Sequence, residues 1–343
     1  LKKRLLGVID ATTYAEDLKD LTLHRSVAAI PFGGRYRLID FILSNMVNSG
    51  IESVGIFPKY PFRSLMDHLG SGKNWDLNRK RDGLFFFPFS SDDKPNFGMN
   101  SFEHFAANID FLNRSTQEYC LISDANTIFN MDFNPLLEWH MEQGCDISEV
   151  RRDGAPLNIF LVKTSLLLEL IDSRDKTGNY CMRDVVTDID SPYQVCYYPY
   201  EGFAVTVDSI DQYYFASMEI LKPTIWGQLF LKERAILTKV KDEPPTHYSK
   251  SASVHNSMIA NGASIEGIVE NSIIARGVKI AKGAIVRNSI IMQKTQIGEN
   301  SILDHVIVDK DVKVESGITL IGTKDAPKIL QKGSIIKGAC VNS

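Results

Sequence analysis

Ile268-Val269-Glu270-Asn271-Ser272-Ile273-Ile274-Ala275-Arg276-Gly277-Val278-Lys279-Ile280-Ala281-Lys282-Gly283-Ala284-Ile285-Val286 places apolar residues at Ile268, Ile274, Ile280 and Val286, and the series runs on to Met292. The interval is six residues, which is neither the 3.6 of a helix nor the 2 of a flat strand. Val278, Ala284 and Ile290 form a second track of the same period. The phrase Asn-Ser-apolar-apolar returns as Asn256–Ile259, Asn271–Ile274, Asn288–Ile291 and Asn300–Leu303, with Gly262, Gly267, Gly277, Gly283 and Gly298 interspersed. Hexads of this kind build a parallel β-helix, in which each short strand buries one apolar residue and the coils stack. The expected form is a left-handed coil with Ile274, Ile280 and Val286 inside. Such a coil cannot end on open strand edges. Either Ile329–Val341 and the preceding linker cover the ends, or another subunit does.

Upstream, Lys241–Ser251 carries Pro244-Pro245 among polar residues and reads as a linker. Before it, short apolar runs alternate with amphipathic stretches, the pattern of an α/β domain with a largely parallel sheet. Leu5–Ile9, Ser53–Phe57, Tyr119–Ile122 and Leu157–Val162 are the strand candidates. Arg37–Ser49, Pro61–Leu69 and Phe102–Asn113 have helical spacing. Ser209 caps a helix that runs to Lys222, where Pro223 interrupts it. Two domains follow: residues 1–240, Rossmann-like, and residues 241–343, linker and β-helix. A chain of 343 residues exceeds what one core usually supports.

Composition is that of an ordinary globular protein, with 44% hydrophobic and 23% charged residues. A net charge of -4 argues against a nucleic-acid surface. No apolar run is long enough for a bilayer and no cleavable signal segment opens the sequence, so a cytoplasmic location without membrane contact is expected. The five cysteines, Cys120, Cys145, Cys181, Cys196 and Cys340, contain no C-x-x-C pair and read as reduced, mostly buried thiols. The histidines show no metal-ligand spacing, so no tightly bound cofactor is expected.

Pro31-Phe32-Gly33-Gly34-Arg35-Tyr36-Arg37-Leu38-Ile39-Asp40-Phe41, then Leu43-Ser44-Asn45 and Asn48-Ser49-Gly50-Ile51, closely resembles a stretch of the glucose-1-phosphate adenylyltransferase (ADP-glucose pyrophosphorylase) family. That family joins a nucleotide-diphospho-sugar transferase-like domain to a hexapeptide β-helix, so the resemblance spans nearly the whole chain. It implies a reaction in which glucose 1-phosphate attacks the α-phosphorus of ATP and pyrophosphate leaves. Such chemistry needs amides and cations around the triphosphate and carboxylates for Mg²⁺.

The elements of that site are missing one after another. The family's glycine-rich A-G-G-x-G-[TS]-R-L is Ala11-Thr12-Thr13-Tyr14-Ala15-Glu16-Asp17-Leu18 here, with Asp17 in place of the arginine. Val27 stands for a phosphate-binding lysine. Asn126 and Thr206 stand for the two metal-ligand aspartates, which removes the charged oxygens Mg²⁺ prefers. The G-T-A-D-A contact segment has become Asn100-Ser101-Phe102-Glu103-His104, and a sugar-binding excursion between Asp146 and Leu157 is absent. Two other readings of the acidic residues exist: Asp124 serves as ligand through a two-residue slip, or Asp10, Glu16 and Asp17 form an unrelated metal site.

His24, Arg25, Arg35 and Arg37 keep a basic cluster where the family binds phosphorylated effectors, and guanidinium groups suit phosphate. The opposing reading pairs Arg37 with Asp40 and leaves the rest as surface charge. The pattern of losses is most like the family's non-catalytic, GlgD-type regulatory subunit, inactive alone and hetero-oligomeric with a catalytic homologue in bacterial glycogen synthesis. A weakly active adenylyltransferase and a sugar-phosphate-binding sensor are the rival readings.

Overall fold

The computed structural model describes residues 4–79, 81–88 and 100–338. Its first domain is built on a seven-stranded sheet of Leu5–Ala11 (β1), Ser53–Pro58 (β2), Gly83–Phe86 (β3), Tyr119–Asp124 (β4), Ile147–Arg152 (β5), Ala155–Lys163 (β6) and Val195–Pro199 (β7). The spatial order is β7-β5-β6-β4-β1-β2-β3. All neighbours are parallel except those of β6, which runs antiparallel to both β4 and β5. β1 is buried along its whole length, as a central strand covered on both faces must be. Period two divides it: Leu5 and Ile9 join one core with Leu43, Met46 and Val54, while Leu6 and Val8 join another with Phe105, Ile122 and Phe160. Gly7 lies on the first face, where a Cβ would come within 2.8 Å of Met46 Sδ on the covering helix.

The helix expected over Phe102–Asn113 is two helices, Ser101–Ala107 and Ile109–Asn113, divided at Asn108. The helix capped by Ser209 ends at Glu219, short of the expected Lys222, so Pro223 does not stop it. Pro223 opens another, Pro223–Leu229, as a residue that needs no N–H in the first turn can. The Ile147–Arg152 and Ala155–Lys163 strands are joined by Asp153 and Gly154, both at positive φ (49° and 81°), a tight hairpin turn with no room for an excursion.

The thiol expectation is corrected by a Cys145–Cys196 disulfide. Parallel pairing of β7 on β5, with Val195 against Ile147, brings the two cysteines together although 51 positions separate them. Cys120 and Cys181 are free; Cys340 and Val341 lie outside the described residues.

The second domain is a three-faced parallel β-helix. Its first strand, His247–Tyr248, falls inside the segment expected to be linker, and Lys328–Leu330 and Ile335–Ile336 extend the coil at the other end. Ile274, Ile280 and Val286 are buried inside, as the hexad predicts. The hexad then slips, by one residue in the regular coils and by more in the first. Val254 stacks on Val269, fifteen residues on, and Val269 stacks on Val286, seventeen on, so each coil is shorter than three hexads. Ile291 lines the interior where strict spacing requires Met292, and Val269 does so in place of Ile268.

In each of these coils one residue is saved at an Asn-Ser corner, and the first coil is shortened further between Ile265 and Val269. Asn256, Asn271 and Asn288 take φ of 41–46°, a left-handed conformation that asparagine tolerates and that turns the chain sharply. Each serine then bonds the next coil, with Ser272 N donating to Ser257 Oγ and Ser289 N to Ser272 Oγ, both at 3.1 Å. Asn300 occupies a different corner, stacked with Gly283 and Gly317.

The coil's outer face packs on the first domain. Ile273, Ile290, Met292 and Ile307 share a core with Leu18, Leu21, Val27, Phe32, Tyr36 and Tyr213. Burying each such aliphatic side chain contributes about 1.5–3 kcal/mol, so the docking is tight. Gly33 and Gly34, at φ 53° and 74°, make the turn that lets the backbone approach Ile274 O; a Cβ on Gly34 would stand 3.3 Å from it.

Candidate functional site

Asn126 and Thr206 do come together, through the antiparallel pairing of Thr127 with Thr206. Neither presents a charged oxygen. Thr206 Oγ1 shares a hydrogen bond with Thr127 Oγ1 at 3.1 Å, and Asn126 Nδ2 donates to Val207 O at 2.9 Å. Asn126 Oδ1 is left buried without a partner. Val27 is only 4% exposed and lies in the core shared with Val205 and Val207, so the place of the family's lysine is filled by packed hydrocarbon. Asp17 stands exposed on the turn at Glu16–Leu18. These residues do not fit Mg²⁺, and among the described residues no group of three or more His, Cys, Asp or Glu is arranged to hold a metal ion. Asp124 turns instead toward Asp10, its register partner on β1, so the two-residue slip does not bring it to the place of Asn126.

The basic residues have a different fate. Arg25 is buried and spans the two domains: Nη2 donates to Asp309 Oδ1 and Nη1 to Leu21 O, both at 2.9 Å. Arg37 donates to Ser64 Oγ (2.9 Å) and Ser64 O (2.6 Å), while Asp40 accepts from the Arg37 backbone N–H and lies 2.6 Å from His68 Nε2. The expected side-chain pairing of Arg37 with Asp40 is therefore a helix cap. Arg35 is exposed above the Tyr36 ring, and His24 is exposed on the turn beside Arg25.

Around these, the linker and the β-helix add cations that the local sequence did not reveal. Burial, and after it Arg37 and Arg25, pull the Lys310 amine down to about 7. Lys241 is lowered by burial and then by Arg276, Lys239, Lys294 and Arg37. Arg276 is lowered by burial and then by Arg35. Burial brings Arg37 down to about 10 against the pull of Asp40. Burial disfavours the charged form of each of these groups and like-charged neighbours add to that, a disadvantage an anion would relieve. Four carboxylates oppose them: Asp309 accepts from Arg25 and from Lys310 N, Asp40 accepts from Arg37 N, and Glu243 and Asp67 act on Arg276 and Arg37. The seam between the domains thus carries an excess of positive charge although the chain as a whole is -4.

The chain is 55% identical over 340 residues to the glycogen biosynthesis protein GlgD of Geobacillus stearothermophilus, covering 98% of each, and 50% identical to that of Bacillus subtilis (strain 168), covering 99% of each. The chain belongs to the GlgD family. A more distant relative is the glucose-1-phosphate adenylyltransferase of Thermosipho africanus (strain TCF52B), 31% identical over 83% of this chain and 78% of its own length. The nucleotidyl transferase family model matches residues 7–154, and the GlmU-like C-terminal hexapeptide model residues 244–327. The short hairpin at Asp153–Gly154 fits GlgD relatives that match end to end without added length. No helix among the described residues is long and apolar enough to cross a membrane.

Proposed function

We propose that this GlgD-family chain is the non-catalytic regulatory subunit of an ADP-glucose pyrophosphorylase, assembling with a catalytic homologue that makes ADP-glucose and pyrophosphate from ATP and glucose 1-phosphate. The domain boundary lies near residue 240, and the seam it creates binds a phosphorylated sugar effector. The observation that carries this reading is the contrast of charge: the nucleotide position has lost its lysine to Val27 and its carboxylates to Asn126 and Thr206, while the seam gathers Arg35, Arg37, Lys239, Lys241, Arg276 and Lys310. Removing one charge-stabilising group from such a site typically costs about 10²–10³-fold in rate, so compound losses take turnover below detection.

The test is reconstitution. The purified chain alone should form no ADP-glucose, co-purify with a catalytic homologue, and change that enzyme's response to sugar phosphates; Arg276→Ala with Lys310→Met should weaken the response. Robust turnover by the chain alone would overturn the regulatory assignment. An unchanged response in the double variant would remove the seam as the effector site.

A further inference from the structure

One corner of the β-helix stacks Arg276, Gln293 and Lys310. Each lies two residues past a strand of the face that packs on the first domain, since Ile274 pairs with Ile291 and Ile291 with Val308. Backbone bonds hold the stack: Lys294 N donates to Arg276 O and Asp311 N to Gln293 O, both at 3.0 Å, and Gly333 N to Lys310 O at 2.9 Å. Neighbouring strands stand about 4.8 Å apart, so Gln293 is one such step from Lys310 and Arg276 two. Lys310 is half-buried, and its Nζ makes no hydrogen bond or ion pair with any described residue. Arg37 and Arg25 from the first domain and Lys241 from the linker act on it, with Asp309 the one opposing carboxylate. Asp309 Oδ1 already accepts from Arg25 Nη2 (2.9 Å) and from Lys310 N (2.6 Å). Gln293 Oε1 is buried without a partner.

An amine in this setting is a nucleophile at neutral pH. Burial, then Arg37 and Arg25, bring it to about 7, so half of it is unprotonated at pH 7, against roughly one part in 10³ for an ordinary lysine. A group that turned the amine into an anion would convert the repulsion of Arg25, Arg37 and Lys241 into attraction. An aldehyde would not, because an imine is neutral or cationic. Carbon dioxide would.

We propose, on the reading of the seam as an anion site, that Lys310 is carbamylated reversibly by CO₂, its carbamate lying among Arg25, Arg37 and Lys241 with the remaining N–H available to Gln293 Oε1. The unprotonated Nζ attacks the carbon of CO₂. The N–C bond forms as one C=O π pair moves to oxygen, and an amine proton leaves to water, so Lys–NH₂ + CO₂ gives Lys–NH–COO⁻ + H⁺.

Carbon-13 NMR of the full chain, labelled with ¹⁵N at lysine and held at fixed dissolved ¹³CO₂, tests the site. One ¹⁵N-coupled carbamate carbon should appear and grow as pH rises from 6 to 8, because its formation releases a proton. The lysine label excludes an α-amine. The signal should be lost in Lys310→Met and in Lys310→Arg, which keeps the charge, and retained in Lys279→Met, an exposed lysine on another face. Sulfate, which favours the protonated amine, should suppress it. A signal absent at pH 8, or one that persists in Lys310→Met, would overturn the assignment. Sulfate binding without a carbamate would overturn this site and leave the seam as an anion site; a carbamate with no binding of sulfate or sugar phosphate would uphold it and remove the effector reading.

Discussion

Asp309→Asn is expected to cost about 3–5 kcal/mol of stability, the scale for breaking a buried ion pair by removing one partner. The geometry argues for the upper end. The Arg25 and Asp309 side chains are 2% and 3% exposed, so water does not replace the lost partner. A neutral amide in place of the Asp309 carboxylate would leave the Arg25 charge with neutral acceptors alone, the amide oxygen and Leu21 O at 2.9 Å, in the neighbourhood of Arg37 and Lys310. Asp309 is also among the groups that favour the charged form of Lys310, so its loss pushes that amine further down. The reciprocal change should cost less. In Arg25→Met, Asp309 still accepts from Lys310 N at 2.6 Å and still faces the Lys310 ammonium. Replacing both, as Arg25→Met with Asp309→Leu, should recover most of the loss, because a packed apolar pair avoids the desolvation that the ions pay. Urea denaturation followed by circular dichroism ranks the variants. The reasoning fails if Asp309→Asn lies within about 1 kcal/mol of wild type, or if Arg25→Met is the more damaging of the two.

With Lys310 near 7 in the free protein, binding an anion beside it draws a proton onto the Lys310 amine, so affinity should fall as pH rises from 6 to 8. Calorimetry with sulfate, whose own charge is constant over this range, should show that slope in wild type and lose most of it in Lys310→Met; a flat wild-type profile would exclude the amine. Asn126→Asp with Thr206→Asp is expected to restore no measurable ADP-glucose synthesis, since Val27 still packs where a cation is required. Cys145→Ser should lower stability by about 2–4 kcal/mol through loss of a cross-link spanning 51 positions, and reductant should do the same to wild type. Alkylation of Cys145 and Cys196 in the native, unreduced protein would show that the cross-link is absent.

What could be read from the sequence followed from periodicity, and what could not depended on distance along the chain. The hexad specified a β-helix, yet its phase drifted by a residue at the Asn256, Asn271 and Asn288 corners and not at Asn300. The cue was present, since asparagine is one of the few residues that accept φ near 46°, but a corner one residue shorter looks the same as a strict hexad until coils are stacked. Arg35 and Arg37 stood out beside a family motif. Lys239, Lys241, Arg276, Lys294 and Lys310 did not, because each sits in an unremarkable local pattern and meets the arginines only when the second domain docks. The disulfide was hidden for the same reason: β7 lies beside β5 only once the sheet order is known.

Arg25 and Val27 join these two kinds of information within three residues. A 3₁₀ turn at Val27–Ala29 directs Val27 into the seam core, while Arg25, just before it, crosses the seam to Asp309. A lysine at position 27 would have to be desolvated among Ile30, Val205, Val207 and Tyr213, at a cost of several kcal/mol unless a phosphate compensated it. The valine removes that requirement and joins the buried cluster that both domains share. The residue that stands for the nucleotide-binding lysine is therefore part of the packing beside the Arg25 ion pair. An anion at the proposed site of Arg37, Arg276 and Lys310 would act on groups from both domains, and a seam packed this closely would leave the domains little freedom to absorb the change separately.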